Sequence, residues 1–253
     1  MMCLMNQRKI GVVILAAGKG TRMKSDIPKV LHHLKGKPLI EYVIETAKSL
    51  NPETIVVVIG YMAEEVRRSI PNKKILFAIQ KEQLGTAHAV LSAKSELGSF
   101  AGDVLVLSGD VPLIRSESLE ELLSIHQTDG SAVSILSVDV ENPTGYGRIV
   151  RGDDGKVLMN VEDRDADTEQ KKINEINSGI YVFDSEFLFE SLGKVSPDNN
   201  QGEYYLPDLI KLAKDEERNV SVLKLEDEAE LTGVNSVEDL ALLESLLAER
   251  VVG

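Results

Sequence analysis

The segment with the most chemical promise is Leu15-Ala16-Ala17-Gly18-Lys19-Gly20-Thr21-Arg22-Met23, followed by Pro28-Lys29. A loop of small residues after a strand lets backbone N–H groups approach phosphates closely. Two well-known phosphate loops do not fit it. The dinucleotide fingerprint needs a third glycine where Met23 stands, and the P-loop pattern counted from Gly18 needs glycine at that same position before Lys24-Ser25. A plain two-glycine turn between strand and helix leaves Arg22 and Lys29 unexplained in an otherwise acidic chain. Asp110, in Ser108-Gly109-Asp110, closes an apolar strand; it suits either a turn aspartate before Pro112 or a hard oxygen ligand for a metal. Asn235 suits either a metal-ligating amide oxygen or a cap for a helix starting near Ser236.

Other polar residues read as structural. His32, His33, His88 and His126 show no metal-ligand spacing with one another or with Cys3. His32 and His33, as neighbours, are expected on different faces of a helix. Asp163, Asp165 and Asp167 alternate, but the stretch lacks the glycine and terminal glutamate of a calcium loop, so a solvated loop is expected. Glu226–Glu230 reads as a solvated acidic face.

Strand-length apolar runs alternate with helix-period segments around these residues. The expected strands are 10–17, 54–59, 75–79 and 104–107, and the expected helices are 38–50, 63–70 and 86–97. Such alternation means parallel strands covered on both faces, with ligands outside their carboxyl ends. The segments 18–22, 80–86 and 108–110 fall at those ends. The second half reads as strands over 131–140, 148–150, 157–161, 179–183 and 220–225, with a turn at Asp153-Asp154-Gly155 and helices over 205–214 and 236–247. No linker separates the halves.

Composition removes several function classes. The chain has 253 residues, with 28 Lys plus Arg against 41 Asp plus Glu, a net charge of −13. That balance argues against duplex nucleic acid as a partner. One cysteine excludes an intramolecular disulfide and a multi-cysteine zinc site, and fits a cytoplasmic location. No apolar stretch reaches the ~18 residues of a membrane span.

The motifs together resemble the uridyltransferase half of the bacterial GlmU family, bifunctional sugar-phosphate nucleotidyltransferases that make UDP-N-acetylglucosamine. Leu15–Lys29 resembles the signature shared by many sugar nucleotidyltransferases. Gln80 with Gln83-Leu84-Gly85-Thr86-Ala87-His88-Ala89, Gly109-Asp110-Val111-Pro112-Leu113 and Pro143-Thr144-Gly145-Tyr146-Gly147-Arg148 follow in family order. So do Glu175-Ile176-Asn177-Ser178-Gly179-Ile180, Gln201-Gly202-Glu203-Tyr204-Tyr205 and Gly233-Val234-Asn235. The likeness spans about 9–235. It implies an α/β, Rossmann-like nucleotidyltransferase fold: a mostly parallel sheet with helices on both faces and a sugar-binding lobe. The nucleotide part would be about 9–112 and the sugar lobe about 113–235, with a C-terminal helix and tail at 236–253.

The resemblance also implies roles. Leu15, Ala16, Ala17 and Gly18 would contact the uridine nucleotide through the backbone. Arg22 and Lys29 would hold phosphates, Arg22 against the leaving pyrophosphate. Gln80, Gly85 and Thr86 would read uracil. Ser108 and Gly109 would bind substrate, Ser108 through its backbone alone, and Asp110 and Asn235 would ligate Mg2+. Gly147, Glu162 and Asn177 would hold the sugar and its N-acetyl group. The substrates would be UTP and N-acetylglucosamine 1-phosphate, with no membrane or nucleic-acid partner and the oligomeric state open. The chain departs from its relatives at Ser108, where some carry an aromatic residue, and at Pro207, where threonine is frequent. Nothing after Asn235 carries the hexapeptide repeats of the family's acetyltransferase half, as expected of either a single-activity version or a fragment of a longer chain. Charge grows on the leaving pyrophosphate in the transition state. Arg22→Ala is therefore expected to lower kcat by about 10²–10³-fold; a raised KM for UTP with kcat unchanged would make Arg22 a uniform binder instead.

Overall fold

The computed structural model describes residues 8–20, Met23 and residues 25–252, the last four as backbone. The first half contains β1 (Ile10–Ala16), the hairpin β2 (His33–Leu34) and β3 (Lys37–Pro38), α1 (Leu39–Ser49), β4 (Thr54–Ile59), α2 (Ala63–Ser69) and β5 (Ile75–Ile79). It continues through α3 (Thr86–Ser92), α4 (Lys94–Leu97), β6 (Asp103–Ser108) and α5 (Ser116–Asp129). The second half contains β7 (Val133–Asp139), β8 (Arg148–Arg151), β9 (Val157–Val161), β10 (Glu175–Asp184), α6 (Ser185–Ser191), α7 (Asp208–Asp215), β11 (Val220–Leu225) and α8 (Val237–Val252).

The strands form one sheet in the order β11-β7-β10-β6-β1-β4-β5, with the β8–β9 hairpin attached to β10. Parallel pairing joins β6, β1, β4 and β5, and also β11 and β7. β10 is antiparallel to both β6 and β7, so it alone runs backwards along that path. Because it inserts between β6 and β7, the segments 9–112 and 113–235 share one sheet.

Alternation along the central strands explains the layers. Val12, Ile14, Ile55, Val57, Leu105 and Leu107 face α1 and α5, packing with Val43, Ile44, Leu119 and Leu122. Val13, Val56, Val58, Val104 and Val106 face the other way, onto Val90, Phe187, Leu188 and Leu209 of α3, α6 and α7. Helices on both faces thus account for strands that are apolar throughout. A third cluster packs Leu243 of α8 against Met23, Leu34, Leu39, Leu113 and Val234. Among the described residues no helix is long and apolar enough to cross a membrane.

Several expectations need correction. The helix expected over 86–97 breaks at Ala93, whose N–H reaches both the Val90 and Leu91 carbonyls; alanine gives no sequence signal for such a break. α5 and α6 were not expected. α5 ends at Gly130 in the left-handed region, and Asp184 caps α6 by accepting from Phe187 N–H at 3.0 Å. His32 and His33 lie in no helix: a 3-10 turn at Lys29–Leu31 leads into β2. The acidic run 226–230 is not uniformly solvated. Glu230 is fully buried and accepts from Ser118 Oγ at 2.7 Å, Arg115 N–H at 3.2 Å and the Arg115 guanidinium. The stretch 163–167 is the expected loop, with Asp167 exposed; within it Asp163 pairs with Arg148 at 2.9 Å, and Asp167 accepts from Glu169 and Gln170 N–H at 2.8 Å. Glu230→Ala strands the buried Ser118 hydroxyl and is expected to lower unfolding free energy by about 1–3 kcal/mol. Exposed Glu226→Ala is expected to stay within about 0.5 kcal/mol of wild type, both variants being measured by urea titration.

Candidate active site

The carboxyl ends of β1 and β6 lie side by side, so the loops that follow them meet. Gly109 N–H donates to the Leu15 carbonyl at 2.9 Å, and Tyr61 N–H to the Ala17 carbonyl at 3.0 Å. Gly20 has φ +65°, and a Cβ there would stand 2.6 Å from Lys29 Cβ, so glycine is what lets the chain pass under Lys29. The Lys29 ammonium ion-pairs with Asp110 and donates to Asn235 Oδ1 at 3.0 Å. Val234 N–H donates to the Asp110 carbonyl at 2.9 Å, which holds the Asn235 turn against the end of β6. Ser236 caps α8, accepting from Asp239 N–H at 3.1 Å while Asp239 Oδ2 accepts from Ser236 N–H at 2.9 Å, a reciprocal cap.

Asp110 and Asn235 therefore aim two hard oxygens at one cation. That donor set fits Mg2+, which takes one or two protein oxygens and fills its shell with phosphate oxygens and water. Among the described residues no group of three or more His, Cys, Asp or Glu gathers at a metal-like site, as a phosphate-shared ion would allow.

A cavity of about 350 Å³ opens beside this cation site, lined by Leu15, Thr86, Ser108, Gly147, Glu162 and Asn177 among others. A larger one, about 580 Å³, lies at the opposite edge near Lys9, Asn51 and Glu53, at the amino ends of β1 and β4. The smaller cavity is the candidate, because sheets of this kind present ligand sites at strand carboxyl ends. Beside the β8–β9 hairpin, the Gly147 carbonyl accepts from Asn177 N–H at 2.9 Å. A Cβ at Gly147 would stand 2.5 Å from Asn160 Oδ1 and 2.9 Å from Glu162 Oε1, so glycine gives Glu162 its place. Asn160 Nδ2 donates to Glu162 at 2.8 Å. Burial pushes the Glu162 carboxyl up, against the lowering from that bond.

Not every expected residue meets the cavity. Arg22 lies outside the described residues. Gly18 is exposed with open space beside it. Gln80 is buried beneath the next loop, its Nε2 within 3.1 Å of both the Gly85 carbonyl and His88 Nδ1. Gly85 has φ +112° and abuts the Tyr204 backbone, while Thr86 Oγ1 accepts from Leu206 N–H at 2.9 Å. Those bonds tie the first lobe to the segment that carries Tyr205 and Pro207. Ser178, Gln201 and Tyr205, which lie in the quoted motifs but carry no role there, also line the cavity, as does Tyr181, which no motif contains. Tyr181 lay inside an apolar strand run, where nothing distinguishes a phenol that reaches a site from one that fills the core.

Comparison with known proteins decides the family: the pattern described as nucleotidyl transferase matches residues 11–229. The chain belongs to the nucleotidyl transferase family. A Bacillus licheniformis protein named bifunctional protein GlmU is 45% identical over 94% of the chain, and one from Listeria monocytogenes is 47% identical over 94%. The chain spans about half the length of these relatives, 52% in both cases. A UDP-glucose pyrophosphorylase solved with UDP-glucose superposes with a TM-score of 0.73 over 96% of this chain and 99% of that one, at 21% identity; it shares the fold.

Asp208, at the start of α7, stands behind Glu162. Its carboxyl is pushed up from 3.8 to about 6, chiefly by burial and then by Asp165. A proton held by the folded state and already released by the unfolded chain favours folding most at low pH, and that contribution is lost as pH rises through the folded value. Asp208→Asn is therefore expected to unfold at higher urea than wild type at pH 7, with the gap narrowing toward pH 4. Equal midpoints at pH 7 would show a solvated carboxylate.

Proposed function

We propose that this chain transfers a uridylyl group from UTP to N-acetylglucosamine 1-phosphate, giving UDP-N-acetylglucosamine and pyrophosphate by one in-line displacement at the α-phosphorus. The observation that carries this reading is the convergence of Asp110 and Asn235 on one cation beside a cavity that holds Gly147, Glu162 and Asn177. The GlmU relatives at 45% and 47% identity support the same substrates.

Phosphoryl chemistry of this kind needs positioning and charge neutralisation more than a dedicated base. The attacking oxygen of the sugar phosphate is already anionic, and no histidine is among the residues lining the cavity. Backbone groups from Leu15 to Gly18 and at Ser108-Gly109 would receive the nucleotide. Gln80, by ordering the Gly85-Thr86 turn, would set the edge that meets uracil. Arg22 would oppose the leaving pyrophosphate. Bound Mg2+ would neutralise phosphate oxygens. Asp110 and Asn235 hold one cation between them, so Lys29 Nζ would leave that place and turn to phosphate. Glu162 and Asn177 would bind the sugar, and Pro207 offers no hydroxyl to the cavity it lines.

The test is pyrophosphate release measured over four nucleoside triphosphates and several hexose 1-phosphates. The expected maximum is UTP with N-acetylglucosamine 1-phosphate, abolished by EDTA and by Asp110→Ala, with circular dichroism of the variant unchanged. Full turnover in excess EDTA would remove the metal from the account. Equal kcat/KM for glucose 1-phosphate would make the chain a general hexose uridyltransferase.

A further inference from the structure

β10 is interrupted where it crosses the cavity. Asn177 pairs with Ser137 of β7 and Tyr181 with Ile135, so four steps on β10 match two on its neighbour, and the register shifts between them. Gly179 takes φ +77° at this bulge, and Ser178 Oγ pins it by donating to the Leu136 carbonyl at 2.7 Å. In an uninterrupted strand, residues four apart lie about 13 Å from each other. Here the bulge brings the Asn177 amide within 2.7 Å of the Tyr181 hydroxyl.

The bonds in this unit have a direction. Gly179 N–H donates to Asn177 Oδ1 at 3.1 Å, which fixes the oxygen of the amide on that side. Asn177 Nδ2 must then face Tyr181 and donate to it. The Tyr181 oxygen is thereby an acceptor, and its own hydrogen remains to be given. Asn177 is the hydrogen-bond partner of that hydroxyl among the described residues, and Tyr181 lines the cavity. The ring packs against Phe183 with centroids 5.5 Å apart and is 3% exposed, so the hydroxyl is held in place before any ligand arrives. Burial raises the phenol far above its ordinary range, which keeps it a neutral donor.

The same cavity contains the opposite polarity. Glu162, when ionised, only accepts, and one of its oxygens is already taken by Asn160. One donor and one acceptor are thus presented to the sugar. A 2-acetamido group offers a carbonyl acceptor and an N–H donor together. A 2-hydroxyl at the same carbon does not reach as far and would leave one buried partner unmatched, which costs binding of the hydroxy sugar and so creates selectivity. We propose that the Tyr181 hydroxyl, oriented by Asn177, donates to the acetamido oxygen of the sugar substrate and thereby selects 2-acetamido over 2-hydroxy hexose phosphates. This rests on the sugar assignment made above and adds the residue that enforces it.

The experiment is Tyr181→Phe, which keeps the ring and removes the hydroxyl. With UTP and Mg2+, kcat/KM for N-acetylglucosamine 1-phosphate is expected to fall at least tenfold, through KM, while glucose 1-phosphate changes less than twofold. KM for UTP should not move. Titration calorimetry with UDP-N-acetylglucosamine and UDP-glucose should reproduce the loss of discrimination without turnover. A lowered melting temperature with the sugar ratio intact would make Tyr181 a packing residue and overturn the proposal. Wild-type protein with no preference for the acetamido sugar would overturn the substrate reading and this one together. A wild-type preference that survives in Tyr181→Phe would overturn the role of Tyr181 alone.

Discussion

One ion pair organises the site: the Lys29 ammonium held between the Asp110 carboxylate and the Asn235 amide oxygen. These three residues come from the turn beyond the first strand, the end of β6 and the turn before α8. On the proposed function, a protein with net charge −13 would receive a triphosphate and a sugar phosphate, and would have to concentrate cations where the phosphates meet. Parallel pairing of β1 with β6 places the loops at one edge, and the Gly109-to-Leu15 and Val234-to-Asp110 backbone bonds fix their spacing. The two oxygens are thus assembled before any metal enters, with a lysine holding their place.

The second half of the molecule depends on the reversal of β10. By running against its neighbours, this strand carries Asn177 and Tyr181 across the mouth of the sheet and gives the β8–β9 hairpin an edge to pair with. That hairpin presents Gly147 and Glu162 to the cavity. This side of the cavity is therefore a set of short polar elements mounted on a strand whose outer residues, Tyr181 and Phe183, are rooted in the apolar layer beneath α6 and α7. Rigidity comes from the core, and the bulge is the feature to which the proposed sugar selectivity is assigned.

Much of this was legible in the sequence, because central strands buried on both faces are written as uninterrupted apolar runs. β4, β5, β9 and β11 occupy the expected residues. The loops at strand ends announced themselves by glycine and charge, and Asp110 and Asn235 do meet. The misses share a cause: a polar residue's partner is distant in sequence. Glu230 looked like part of an acidic face because Ser118 and Arg115 are 112 and 115 residues away. Tyr181 looked like core because the bulge that turns it toward Asn177 depends on Gly179 adopting positive φ, which a glycine permits without requiring.

The most direct measurement is anomalous scattering from a crystal grown with UTP and Mn2+ in place of Mg2+. The account predicts a manganese peak bonded to both an Asp110 carboxylate oxygen and the Asn235 amide oxygen, with Lys29 Nζ displaced from them onto a phosphate oxygen. A peak on the phosphates that leaves Lys29 in its pair with Asp110 would contradict it.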